Sequence, residues 1–234
     1  MTAAQIRTWA KRRETPLARS VYRLVKGVRS VSVPLVRWVH SPLYLIDRAV
    51  RSALSNALRM IWTTPLFQSR LTQPAPGLFL YGGIPLVLGP VRISIGEHCR
   101  ISGQTTISGR SSGATQPVLS MGRNCDIGWQ STIAVGSTIT LGDNVRIAGR
   151  AFLAGYPGHP IDEQARAAGS PDTDDQVGAI ILEDDVWLAT GVTVLAGVRI
   201  GRGAIIGAGS VVTKDIPAFT LAAGAPARVI KQLP

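Results

Sequence analysis

One histidine stands where a regular pattern in this chain breaks off. Residues 153–166 read Leu-Ala-Gly-Tyr-Pro-Gly-His-Pro-Ile-Asp-Glu-Gln-Ala-Arg, an acidic run continues through Asp175, and Leu182-Glu-Asp-Asp-Val-Trp187 follows. An imidazole has a reference pKa close to neutrality, so His159 is suited to take and return a proton at neutral pH. Three cations, Lys214, Arg228 and Lys231, gather towards the C-terminus in Val-Thr-Lys-Asp-Ile-Pro217 and Gly-Ala-Pro-Ala-Arg-Val-Ile-Lys231. Hydrolytic zinc chemistry on three His ligands finds little support. His40, His98 and His159 are the only histidines, and His40 belongs to a different segment. Cys99 and Cys125 suggest no disulfide framework and sit as small filler residues beside core positions.

The pattern that breaks off has a period of six. Leu182, Leu188, Val194, Ile200, Ile206 and Val212 form one aliphatic series, Met121, Ile127, Ile133 and Ile139 a second, and Ile95, Ile101 and Ile107 a fragment of a third. Six fits neither a 3.6-residue helix nor a flat strand. It fits a solenoid whose short strands meet at regular corners, three hexads to a triangular coil, so that stacked coils bury one aliphatic column. The phase jumps by two between Ile139 and Leu141. The period vanishes between Leu153 and Leu182, which predicts a loop extruded over residues 154–179. The expected fold is therefore an all-β solenoid over residues 76–234, behind an α-helical arm over residues 1–75.

Charge separates the same two parts. The first 70 residues carry thirteen Lys and Arg against Glu14 and Asp47, while the other 164 carry twelve of each sign, so the net charge of +11 belongs to the arm. Within it, residues 43–62 alternate polar and apolar positions every three to four residues. This predicts an amphipathic helix opened by Ser41-Pro42 and ended before Pro65. Residues 18–30 form a second such stretch, with Arg19, Arg23 and Lys26 on one face and Val21, Tyr22, Leu24, Val25 and Val28 on the other. Basic amphipathic helices flanked by Tyr22, Trp38, Tyr44 and Trp62 suit the surface of an anionic membrane. The same apolar faces could instead pack on the solenoid or on a neighbouring subunit. No nucleic-acid recognition motif accompanies the basic residues, and the arm is too apolar for a polybasic tail. The N-terminus lacks an uninterrupted apolar signal-peptide core, and no apolar run reaches the length of a spanning helix.

The His-Pro at the loop opening, the Asp-Val-Trp that starts the next coil, the Val-Thr-Lys-Asp-Ile-Pro corner and the closing Gly-x-Pro-Ala-Arg-Val-Ile-Lys together resemble the hexapeptide-repeat acyltransferases. These have a left-handed parallel β-helix, and the nearest group is the maltose and galactoside O-acetyltransferases. The resemblance covers roughly residues 118–232. It implies a catalytic His159, acting as general base on an acceptor hydroxyl that attacks an acetyl thioester. It implies acetyl-CoA as donor, without a metal, held by Trp187, Thr190, Ala208, Thr213, Lys214, Arg228 and Lys231. It also implies homotrimers with each active site between adjacent solenoids. Two departures matter. Lys231 stands where an Arg is frequent, keeping charge but losing the bidentate fork. Gly128 occupies the place of an Asn that contacts the acceptor, so Trp129 and Gln130, which follow it, become the substrate-binding candidates.

The expected protein is thus an acetyl-CoA-dependent O-acetyltransferase of a sugar hydroxyl on a lipid-linked or cell-surface polysaccharide precursor. It would be cytoplasmic and peripheral on the inner face of the plasma membrane, held there through residues 1–70, with no nucleic-acid partner. Two alternatives stand beside it: a soluble acetyltransferase of a small hydroxylated metabolite or antibiotic, and a non-catalytic, membrane-bound trimeric scaffold. A nucleotidyltransferase would need a further nucleotide-binding domain for which the chain has no room.

Overall fold

The computed structural model describes residues 2–234, which form two compact units, residues 2–53 and 54–234. The first unit is helical. Helix α1 (Ala3–Arg12) is opened by a capping box between Thr2 and Gln5, and α2 (Pro16–Ser30) by Thr15, whose hydroxyl accepts the Ala18 N–H, with Pro16 in the first turn. The two pack through Ala10 and Ala18, and the Arg13 guanidinium lies 4.0 Å from the centre of the Tyr22 ring. Leu17, Leu24 and Val28 stay exposed, as do Val31, Val33 and Leu35 in the extended link that follows.

Helix α3 (Arg37–Leu58) corrects the expected start at Ser41-Pro42: it begins six residues before Leu43 and carries Pro42 inside it. Proline there removes one i→i−4 bond, to the Trp38 carbonyl, from a helix of 22 residues. The His40 ring sits against the Val36 N–H at 3.0 Å and holds the first turn. Nor does the helix stop before Pro65. It runs through a π-turn (Arg59–Thr63) into α4 (Thr64–Gln68), where Pro65 takes a first-turn position.

That last turn belongs to the core of the second unit. Phe67 is fully buried, Thr72 donates its N–H to the Ile93 carbonyl at 2.8 Å, and the Arg59 guanidinium lies 4.2 Å from the centre of the Phe79 ring. A stack of coils needs such a lid on its first apolar layer.

From Phe79 the chain visits three sheets in turn. The first face carries Phe79–Tyr81, Arg100–Ser102, Asp126–Ile127, Arg146–Ile147, Trp187–Leu188, Ile205–Ile206 and Thr220–Gly224. The second carries Leu86–Leu88, Thr106–Gly109, Thr132–Val135, Phe152–Ala154, Thr193–Leu195 and Val211–Val212. The third carries Arg92–Ile95, Val118–Met121, Thr138–Leu141, Ile180–Leu182 and Arg199–Ile200. Every pairing between consecutive coils is parallel; only the closing strand Ala227–Gln232 runs antiparallel, against Thr220–Gly224. Three parallel faces over hexapeptide spacing fit a left-handed parallel β-helix.

All thirteen residues of the three aliphatic series lie in the core, none more than 4% exposed. The phase jump has a simple origin: Leu119 pairs with Ile139 and Met121 with Leu141, so Ile139 and Leu141 are the two inward positions of one four-residue strand, whose period is two. Cys99 and Cys125 are buried between stacked coils as free thiols. Left-handed corner residues such as His98, Asn124, Asn144 and Asp185 recur between the third and first faces. There Asn124 donates to Asn144 and Asn144 to Asp185, an amide ladder that ties the coils together. His98 is thereby a corner residue.

Candidate active site

The interruption of the period is an extruded loop. It leaves the second face after Ala154 and rejoins the third at Ile180, and the Gly178 N–H donates to the Gly155 carbonyl at 3.2 Å where the loop closes. A short helix, α5 (Glu163–Ala167), is capped by the Asp162 carboxylate. The Arg166 guanidinium donates to the carbonyls of Pro160 and Ile161. The Tyr156 hydroxyl reaches Ser108 on the second face at 3.1 Å.

What holds this loop was not foreseen. Arg110 follows the strand Thr106–Gly109 of the second face, and its guanidinium is buried under the loop. Its Nε donates to Asp172 at 2.6 Å, one terminal nitrogen to the Asp172 carbonyl at 2.8 Å and the other to Asp174 at 2.5 Å. The Asp172 carboxylate also accepts the Ser112 hydroxyl at 2.9 Å and, on its second oxygen, the Gly158 N–H at 3.1 Å. Burial pushes this carboxyl up, but the bonds from Arg110, Ser112 and Gly158 outweigh it and hold the group below its ordinary range. Gly158 is the residue before His159. A buried ion pair therefore fixes the backbone of the loop one residue from the candidate base, while the His159 ring stays exposed to solvent.

The other candidates fall in two groups. Thr213 and Lys214 lie exposed at the corner between the second and third faces, the corner from which the His159 loop also emerges. Trp187 is an exposed outward residue of the first face. Thr190 and Ala208 stack at the corner between the first and second faces, where the Gly209 N–H donates to the Thr190 carbonyl. Trp129 and Gln130 occupy that same corner in an earlier coil. Arg228 pairs with Ala223 and Lys231 with Leu221. A bulge between Leu221 and Ala222 places both cations opposite outward positions, where an unbulged strand would send residues three apart to opposite sides. On one chain the two corners are separated by the width of the second face, about 16 Å for five residues at roughly 3.3 Å each. His159, Thr213 and Lys214 thus share one corner, apart from the other candidates. Among the described residues, no group of three or more His, Cys, Asp or Glu could hold a metal ion.

Residues 179–214 match the bacterial transferase hexapeptide, six repeats, and residues 118–149 match the hexapeptide repeat of succinyl-transferase. The second unit of the chain carries hexapeptide repeats. The chain is 39% identical over 113 residues to galactoside O-acetyltransferase of Escherichia coli strain K12, covering 48% of this chain and 53% of that one. It is 43% identical over 93 residues to 2,3,4,5-tetrahydropyridine-2,6-dicarboxylate N-acetyltransferase of Staphylococcus aureus strain bovine RF122 / ET3-1, covering 40% and 33%. The chain thus spans about half or less of the curated relatives it matches. Among solved structures, AntD, an N-acyltransferase from Bacillus cereus, superposes with a TM-score of 0.54 at 17% identity over 73% of this chain and 87% of its own, a likeness of fold. The chain has no helix, among its described residues, long and apolar enough to cross a membrane.

Proposed function

We propose that this protein transfers an acetyl group from acetyl-CoA to a sugar hydroxyl, with His159 as general base. The observation that carries this reading is the loop itself. A chain whose coils otherwise repeat in register extrudes one segment, pins it with a buried Arg–Asp pair, and leaves an imidazole exposed beside the pinned backbone. The match to galactoside O-acetyltransferase supports the acyl group and the kind of acceptor.

In this reading the acceptor O–H gives its proton to the His159 ring as its oxygen forms a bond to the thioester carbonyl carbon. Collapse of the adduct breaks the C–S bond, and the departing CoA sulfur takes the proton back from the imidazolium. Trp187, Thr190 and Ala208 border the pantetheine arm. Arg228, Lys231, Thr213 and Lys214 meet the nucleotide phosphates. Since His159, Thr213 and Lys214 lie at one edge of the second face, while Thr190 and Ala208 lie at its other edge and Trp187, Arg228 and Lys231 on the first face, the complete site forms between copies, as in a homotrimer, and holding both substrates in that cleft supplies much of the rate. The acceptor belongs to a lipid-linked or cell-surface polysaccharide precursor, and the helical unit rests on the inner, anionic membrane surface. The exposed Leu17, Leu24 and Val28 beside Arg19, Arg23 and Lys26 support that last step.

The test is release of free CoA thiol, with mass detection of an acetylated glycoside, on adding purified full-length protein to acetyl-CoA and a panel of glycosides. The proposal expects acetylated product with wild type and its loss with His159→Ala. Product formed equally well by both would refute His159 as base, and no product with any hydroxyl acceptor would refute the activity.

A further inference from the structure

The corner that holds Trp129 and Gln130 holds a third residue, Arg150. The Arg150 guanidinium lies 4.9 Å from the centre of the Trp129 ring, and its Nε donates to the Gln130 side-chain oxygen at 3.4 Å. The indole lies on the bare backbone of Gly149. A Cβ there would come within 2.8 Å of the indole nitrogen, so glycine is required for Trp129 to lie down at this corner.

Two features of Arg150 bear on what it could bind. The first is its backbone. Gln130 and Arg150 adopt left-handed φ angles of 57° and 64°, while the matching positions of the next two coils, Gly191 and Gly209, make the same turn at 73° and 68°. Glycine turns this corner without strain, whereas a long side chain does so at a cost, and such strain collects at functional sites. The second is its partners. Arg100, Arg110, Arg123, Arg199 and Arg202 each meet a carboxylate. Arg146, Arg166 and Arg228 donate to backbone carbonyls. Among the described residues the terminal nitrogens of Arg150, like those of Arg92 on the third face, have neither, but only Arg150 of these two lies against an aromatic ring. Its ring contact and its bond to Gln130 fix the guanidinium in place and leave the fork free.

We infer that Trp129, Gln130 and Arg150 form an acceptor subsite for a sugar bearing an anionic group, a carboxylate or a phosphate. The free fork of Arg150 takes two oxygens of that group, the geometry a guanidinium matches best. The exposed part of the indole carries the apolar face of the sugar ring, and the remaining capacity of the Gln130 amide meets a hydroxyl. The departure from the O-acetyltransferase pattern at Gly128 then has a purpose, since a neutral contact to the acceptor gives way to an ionic one a coil later. This inference rests on the acetyl-transfer reading only for calling the bound sugar an acceptor.

The experiment is ligand-observed NMR on the full-length protein with methyl β-glucuronoside, methyl β-glucoside and glucose 1-phosphate, without acetyl-CoA. The glucuronoside or the sugar phosphate should bind about tenfold or more tightly than the neutral glucoside, the scale of one charge-assisted bidentate contact. Which anion binds better identifies the group as carboxylate or phosphate. Arg150→Gly should abolish the preference while melting no lower than wild type, because glycine suits the left-handed corner. Arg150→Lys should restore only part of it, and His159→Ala should leave it unchanged. Equal binding of charged and neutral sugars, no binding of any, or an unchanged preference in a folded Arg150→Gly would overturn the subsite. Anionic preference without acetyl transfer would uphold the subsite and remove the transferase reading. Acetylation of neutral sugars that ignores Arg150 would do the reverse.

Discussion

Replacing Asp172 with Ala tests the loop staple. The Asp172 side chain is 3% exposed and that of Arg110 6%. The change removes three bonds, from Arg110, Ser112 and the Gly158 N–H, and leaves the buried guanidinium with the residue-172 carbonyl and, as its one carboxylate, Asp174, itself 81% exposed. Charge-assisted bonds contribute about 1.5–3 kcal/mol each, and breaking a buried pair by removing one partner costs about 3–5 kcal/mol. The loop offers an escape. It can lift off the second face, letting Arg110 rehydrate, while the coils keep their ladders and their aliphatic column. The loss should therefore appear as local opening rather than as unfolding of the β-helix. Hydrogen exchange followed by mass spectrometry should show residues 156–177 losing protection in Asp172→Ala while peptides from the stacked coils exchange as in wild type. Acetyl transfer should fall on the order of a hundredfold, the scale expected when a reacting group is misplaced by about 1 Å. Unchanged exchange at the loop, or equal loss of protection throughout the coils, would refute the staple.

Further outcomes follow from the same geometry. His159→Ala should lower turnover by about two to four orders of magnitude with little change in acetyl-CoA affinity, measured by steady-state kinetics beside calorimetric binding. Arg228→Ala should weaken CoA binding by roughly 1.5–3 kcal/mol and spare a truncated pantetheine thioester, so equal losses for both would reassign Arg228 to a structural role. Removing residues 1–53 should abolish binding to anionic vesicles and leave a folded β-helix, while removal through residue 70 should also strip Phe67 from the first coil, a deletion worth about 3–5 kcal/mol in melting experiments. Vesicle binding that survives loss of residues 1–53 would contradict the membrane role of the arm. On acidification, the Arg202 N–H and Arg199 hold Glu183 below its ordinary range, the Asp143 N–H holds Asp184 there, and Asp172 is likewise depressed. Carboxyls depressed on folding contribute stability that is complete above their unfolded pKa, near 4, and is lost as pH falls through the lower folded value. Melting temperature should thus be level above about pH 5 and fall below about pH 4; a fall already under way near pH 6 would point to histidine instead.

The aliphatic column was legible in the sequence because each coil buries the same hexad positions, and such repetition has no competing explanation. The loop was legible for the same reason, as the place where repetition stops. The arm was harder. Pro42 looked like a helix start, yet the helix carries it inside at the cost of one backbone bond, so Arg37 escaped notice. Phe67 lay in a segment grouped with the arm by charge, although its burial makes it part of the β-helix. The Arg110–Asp172 pair was hidden because the two residues lie 62 apart and nothing local marks either as buried. A faint signal was available: the non-periodic Ser111-Ser-Gly-Ala-Thr-Gln116 follows Arg110, so two coils break register at the same corner and could be expected to meet there. Arg150 was invisible without the strand register that sets it beside Gly191 and Gly209.

The central claim is that His159 of one copy serves the cofactor face of another. It is tested most directly by mixing two inactive proteins. One carries His159→Ala; the other carries Arg228→Ala with Lys231→Ala and is assayed at an acetyl-CoA concentration that does not saturate it. After the two are dissociated and reassembled together, the account predicts that acetyl transfer returns, because some sites now combine an intact His159 with an intact first face from a neighbour. A mixture that forms mixed oligomers yet stays as inactive as its parts would contradict the account.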